Sequence, residues 1–160
     1  MTKGGIEDDM IRMLMLVLAA LLVGYPARVG AEQPRSVVEV YKSPTCGCCN
    51  KWVEHLRANG FTVRATDTAA VDELKAKHGV PRALRSCHTA LVSGYVIEGH
   101  VPASDVERLL RERPALAGLA VPGMPIGSPG MEGPGGKTEP YDVIAFDEDG
   151  RSHTFAMHGR

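Results

Sequence analysis

Three scarcities in this 160-residue chain each remove a class of function. Aromatic residues make up 5%, with a single Trp, so a platform for stacking nucleotide bases is missing. The formal net charge is -1, which leaves no basic field for a polyanion. No apolar run reaches the roughly 20 residues that a spanning helix needs. What remains is ordinary globular composition, 44% hydrophobic and 23% charged, at a length that suits one domain.

Cysteine is also scarce, at four residues, but its distribution is uneven. Three thiols fall within Cys46-Gly47-Cys48-Cys49, and the fourth, Cys87, is followed at once by His88. Bridges that staple a fold usually join distant segments, so this clustering fits a structural disulfide framework poorly. It fits soft-metal capture or thiol redox chemistry.

Residues 1–31 read as an export signal. Residues 13–23 are apolar, Arg12 precedes them, and Val29-Gly30-Ala31 offers small residues for cleavage. Glu7-Asp8-Asp9 is acidic where such a signal is basic, and a start at Met10 or Met13 would remove the conflict. The alternative is an uncleaved membrane anchor; after cleavage no span remains. Outside the cytoplasm, exposed thiols oxidise unless a metal or a reductant protects them. A thiol cluster there is a disulfide centre or a metal site.

The element pattern is α/β. Residues 36–41 are β-branched and strand-like, and a helix begins near Cys48 with Trp52, Val53 and Leu56 on its buried face. Residues 61–65 form a second strand. Asp67 or Thr68 caps a second helix with Val71 and Leu74 inward. Residues 89–92 and 95–98 flank a Ser93-Gly94 turn, and Ser104 caps a third helix that stops at Pro114. The order β-α-β-α-β-β-α is the thioredoxin order. It predicts a core over 32–114, a Pro/Gly-rich loop over 115–140 and an appended C-terminal hairpin over 141–160. In that fold the loop entering the third strand packs on the first strand-to-helix corner, which would bring Cys87 to the other three thiols.

Thiolate is both nucleophile and metal ligand, and a helix N-terminus favours the anion. Lys42 and Lys51 lie near in sequence and add positive field. Soft sulfur selects Cu(I), with Zn(II) the main competitor and silver a further candidate. Structural zinc usually draws on separated cysteine pairs. Adjacent thiolates more naturally bridge several Cu(I) ions. The competing reading takes Cys46 and Cys49 as a C-x-x-C redox pair, with Cys46 attacking and Cys49 resolving. Two inert bridges are the bland alternative.

Further donors are weighed beside the cysteines. His88 is a candidate ligand, with a backbone-bonded loop histidine as its alternative. Met124 and Met131 could supply thioethers from a loop over the site, against simple loop packing, which is favoured for Met131. His100 reads as structural, His55 and His78 as exposed helix residues, and Met157-His158 as a frayed end. Trp52 shields the cluster or is simply core.

Four ordered segments then carry a resemblance. They run from Tyr41 to Cys49, Ser86 to Ala90, Gly94 to Pro102 and Pro122 to Glu132. Together they resemble a family of exported bacterial metal-binding proteins long filed under a domain of unknown function, which includes the CopG-type copper-resistance proteins. The resemblance implies a thioredoxin-like fold, a periplasmic location and copper held by Cys46, Cys48, Cys49 and Cys87.

The leading expectation is a periplasmic copper-binding protein serving copper tolerance by sequestration, delivery or Cu(I)/Cu(II) conversion. Its partners would be copper ions and periplasmic copper exporters or oxidases. A thiol–disulfide oxidoreductase using Cys46 and Cys49 is the alternative from another class, and an interaction module held by structural zinc is a third.

Overall fold

In the computed structural model, residues 36–160 are described; the expected export signal at 1–31 lies outside them. Strand β1 (Val38–Lys42) alternates buried and half-buried residues, with Val38 and Val40 fully inside. Helix α1 (Gly47–Ala58) turns Cys49, Trp52, Val53 and Leu56 inward, which is helical spacing for one apolar face. Gly60, at φ 83, takes the left-handed position that ends the helix. Strand β2 (Val63–Asp67) then pairs parallel with β1.

Helix α2 (Val71–Lys77) departs from expectation on its buried face. Val71 and Leu74 are only half-buried, while Lys75 is 2% exposed. The Thr68 hydroxyl accepts the Ala70 N–H at 3.0 Å, so Thr68 rather than Asp67 supports the helix start. A short 3-10 turn (Arg82–Leu84) leads to strands β3 (Thr89–Val92) and β4 (Tyr95–Glu98). These strands match the expected bounds. Ser93 at φ 50 and Gly94 at φ 90 make the two-residue turn, the conformation that matches strand twist.

Helix α3 (Ala103–Glu112) begins without the expected Ser104 cap. Pro102 occupies the cap position and makes no side-chain cap bond. Instead the Ala103 N–H donates to His55 Nε2 of α1 at 3.1 Å. His55 is therefore a link between two helices and not a free surface residue.

After α3 the structure adds strand β5 (Gly118–Ala120), which lies inside the stretch expected to be loop. It is short and carries no β-branched residue, so no strand pattern marks it in sequence. Gly118 is required there: a Cβ would lie 2.1 Å from the Val96 carbonyl oxygen of β4. Strands β6 (Tyr141–Phe146) and β7 (Ser152–His158) form the C-terminal hairpin. Through β5 it extends one seven-stranded sheet of order β2-β1-β3-β4-β5-β6-β7.

Every residue of β4 and β5 at the sheet's centre is buried, whereas β2 and β7 at its two edges are mostly exposed. Val38, Val40, Trp52, Leu56, Ile97 and Leu109 belong to the larger core cluster; Val80, Val96, Ala120 and Phe146 belong to the smaller. Each fully buried Leu, Ile or Val contributes roughly 1.5–3 kcal/mol by leaving water. Among the described residues no helix is long and apolar enough to cross a membrane.

The His55 link has a pH signature. Burial lowers the His55 pKa from its ordinary 6.5, against a smaller opposing pull from Glu132. The neutral ring that accepts the Ala103 N–H is thus fully present above about pH 6.5, and its contribution is lost as pH falls through the lowered folded value. His55→Ala is expected to lower stability by about 1 kcal/mol at pH 8, the scale of one hydrogen bond. The gap to wild type should narrow on acidification. Urea unfolding between pH 5 and 8 measures this, and a gap that widens in acid would contradict it.

Candidate metal centre

The first arm of the site is the start of α1. Cys46 is the N-cap residue, and its Sγ accepts the Cys49 N–H at 3.4 Å. A cap position normally taken by Ser or Asp is filled here by sulfur. The first turn carries no acidic residue to oppose a thiolate. Cys46 and Cys48 are half-buried with sulfurs 3.4 Å apart, while Cys49 is fully buried. A disulfide joins Cys46 and Cys49; Cys48 and Cys87 are free thiols.

The second arm arrives through the sheet. β1 and β3 are antiparallel with Tyr41 opposite Thr89, so the segment leaving β1 and the segment entering β3 lie at one end. Cys87 and His88 immediately precede Thr89. The Sγ atoms of Cys46, Cys48, Cys49 and Cys87 all lie within 4.8 Å of one another, a set that could hold a metal ion. The structure thus brings together the four cysteines that the sequence separates. Burial, reinforced by the nearby Cys48, pushes the Cys87 thiol up to about 12, so it is protonated at neutral pH before any cation binds.

Two histidines flank Cys87. His88 is fully buried with Nδ1 3.3 Å from Cys87 Sγ, and its ring lies 4.4 Å from that of Trp52. Its Nε2 is buried with no hydrogen-bond partner. Burial, followed by the fields of His100 and Lys75, holds the ring neutral well below its ordinary pKa. Trp52 is itself fully buried core, donating its indole N–H to the Val101 carbonyl at 2.8 Å. It takes both roles considered for it, core residue and wall beside His88.

His100 is the residue that sequence reasoning missed. It was expected to be structural, yet its Nε2 lies 3.0 Å from Cys87 Sγ. Its Nδ1 lies 2.7 Å from the Pro129 carbonyl oxygen, an acceptor only, so Nδ1 carries the proton. That tautomer turns the Nε2 lone pair toward sulfur. Cys87, His88 and His100 form a second group of donor atoms within 4.8 Å. The signal available in sequence was the β3–β4 hairpin, whose register pairs Thr89 with Glu98 and, carried two residues further, returns His100 opposite Cys87.

The Pro/Gly-rich segment after β5 crosses this site as a strap. The Ser86 hydroxyl donates to the Gly123 carbonyl oxygen, and Gly130 packs on the backbone of α1. Glu132 accepts the Gly130 N–H at 2.6 Å, a bond that lowers its carboxyl pKa. Met131 is half-buried and Met124 is 52% exposed. Lys51 is exposed, whereas Lys42 is 5% exposed and paired with Asp67 at 2.5 Å, so only part of its charge acts on the site. His78 is half-buried. His158 is held by Asp105 at 2.6 Å and stacks on Tyr141, so it is a packed residue where a frayed end was expected.

The arrangement has two chemical states. With Cys46–Cys49 closed, two thiols and two imidazoles remain as donors. With it open, four soft sulfurs face one another, a donor set that fits Cu(I) or Ag(I) better than a hard cation.

Comparison with known proteins gives the chain a family. A family described as a protein of unknown function, DUF411, matches residues 84–131, the stretch from the second arm to the strap. Two solved structures of a copper resistance protein, CopG, in forms 1 and 2, are each 42% identical to the chain. Each match covers 79% of this chain and 100% of the other, with a TM-score of 0.75. The chain belongs to the CopG family. No curated protein sequence matches it. The family model takes in the second arm and the strap.

The packing of the strap on α1 turns on one glycine. Gly130 has φ +86, and a Cβ there would lie 2.8 Å from the Cys48 carbonyl oxygen and 2.9 Å from the Trp52 nitrogen. Backbone cannot yield as a side chain can. Gly130→Ala is expected to cost about 1–3 kcal/mol of stability, as overpacking does. It should also open residues 121–140 to protease before the core. Limited proteolysis with thermal melts reads both, and an unchanged cleavage pattern would show that the strap does not depend on this contact.

Proposed function

We propose that this protein holds copper as Cu(I) on the thiolates of Cys46, Cys48, Cys49 and Cys87, outside the cytoplasm, in the service of copper tolerance. The observation that carries the reading is the convergence of four sulfurs within 4.8 Å at a helix N-terminus. The copper-resistance name of the 42% identical structures supports the choice of ion. Copper is cargo here, taken up, stored or handed on. His88 and His100 adjoin the sulfur set as nitrogen donors, and Met124 stands as an outlying thioether. Silver would fit the same donors, and zinc would compete for them. The fold in this reading is thioredoxin-like, residues 1–31 direct export to the periplasm, and the cysteines serve metal. Periplasmic copper exporters or oxidases are the partners such cargo implies.

The Cys46–Cys49 disulfide favours a second reading, in which the pair exchanges electrons. Its closure releases two electrons and two protons. Two Cu(II) ions accept one electron each and leave as Cu(I), or a partner disulfide accepts both electrons and both protons. Copper conversion and thiol–disulfide exchange thus share one pair of sulfurs and differ in the need for Cys48 and Cys87.

Anaerobic Cu(I) titration of the reduced protein against a competing chelator tests the first reading. Wild type is expected to bind more than one copper and protect all four thiols. Cys48→Ser and Cys87→Ser should each weaken retention about tenfold or more, at least 1.4 kcal/mol. Full retention in both variants, with an active Cys46–Cys49 couple, would transfer the function to thiol exchange.

A further inference from the structure

Cys87 and His88 are the only residues between Ser86 and Thr89, and one buried carboxylate grips both neighbours. Glu98 is 0% exposed. Its Oε1 accepts the Ser86 backbone N–H at 2.6 Å, and its Oε2 accepts the Thr89 hydroxyl at 2.7 Å. Lys75 of α2, 2% exposed, neutralises it at 2.7 Å and also reaches Thr89 Oγ1 at 3.0 Å. The next residues continue the clasp. Gly99 donates its N–H to the His88 carbonyl oxygen at 3.0 Å, and His100 faces Cys87. Gly99 leaves room for Ser86, since a Cβ there would lie 2.5 Å from Ser86 Oγ.

A buried ion pair is poor currency for stability, because desolvating two charges offsets most of their attraction. An apolar pair would hold α2 to the sheet as well. What an apolar pair cannot do is accept the Ser86 N–H and the Thr89 hydroxyl at once. Those two bonds hold the chain on both sides of Cys87, through the Ser86 backbone and the Thr89 side chain, on the arm that has to meet three thiols from another element.

We propose that Glu98 is a positioning residue for the metal centre, holding Cys87 against Cys48 through Ser86 and Thr89, with Lys75 as its counterion. This role rests on the copper-thiolate reading for its purpose but not for its test. The fourth thiol would then drift without Glu98 even where the fold survives.

The test uses the full chain with Cys46→Ser and Cys49→Ser, leaving Cys48 and Cys87 as its only thiols. Oxidation by diamide closes the Cys48–Cys87 disulfide at a rate set by how firmly the two sulfurs are held together. Two double variants are compared. Lys75→Met with Glu98→Gln removes both charges and keeps an oxygen for Ser86. Lys75→Met with Glu98→Met removes the acceptor as well. The glutamine variant is expected to close near the parent rate, and the methionine variant about tenfold more slowly or worse. Matching far-UV circular dichroism and urea midpoints between the two exclude a general loss of fold. Equal closure rates overturn the proposal. Where the methionine variant does not fold, Thr89→Val decides in its place: it cuts one of the two holds and keeps the ion pair. Slower closure than the parent supports the role, and an unchanged rate overturns it.

Cu(I) titration of the same substitutions in the four-cysteine chain forms the second arm. The methionine variant should retain copper as weakly as Cys87→Ser. A wild type that binds no Cu(I) would overturn the copper reading, while the cross-linking rates would still decide the role of Glu98.

Discussion

The antiparallel pairing of β1 with β3 is the constraint from which the site follows. β1 must run parallel to β2, so a helix has to cross between them, and that helix starts where β1 ends. β3 runs the other way, so it begins at that same end. One strand leaves and one strand enters at a single end of the sheet, and the start of α1 and the segment before β3 carry all four thiols there. The helix start adds unpaired N–H groups and the positive end of its dipole, which favour sulfur as the anion. Topology and electrostatics therefore converge on one place without any long-range tether in the sequence.

Around that place the protein has arranged its buried polar groups by sign. Lys75 and Glu98 cancel one another in the interior. His88 and His100 are both driven toward the neutral ring, chiefly by burial. The walls next to the sulfurs are thus neutral nitrogen donors and an indole ring, with the nearest buried cations already matched by carboxylates. A half-buried, neutral surround makes several adjacent thiolates costly when alone and would favour them once a cation sits among them.

Much of the framework was legible because its signals are local. The β3–β4 hairpin declared itself through Ser93-Gly94, and α1 through Trp52, Val53 and Leu56 spaced along one face. The meeting of Cys87 with the triad could be read from element order alone. The losses share a physical cause, since each depends on a contact between segments distant in sequence. β5 is a strand only because β4 and β6 flank it, and its own residues carry no alternation. The burial of Lys75 had no signal along its own helix, because its partner Glu98 lies in another element. His55 and His100 were assigned to surface or scaffold because each acts on a group 48 or 13 residues away. Ser104 is the exception: it looked like a cap because its local chemistry is right, but the helix starts two residues earlier, where the Pro102 carbonyl oxygen accepts the Val106 N–H.

The uneven depth of Cys46 and Cys49 gives their disulfide a direction. Cys49 is sealed beneath the first turn of α1, while Cys46 is partly open to solvent. An incoming nucleophile therefore meets the Cys46 sulfur first, and the electron pair of the breaking bond retreats inward to Cys49. There it finds the helix N-terminus behind it and Cys48 and Cys87 beside it. Were a thiol to open this bond from outside, the mixed disulfide would form on the rim at Cys46 and the new thiolate in the pocket at Cys49, placed to close the bond again.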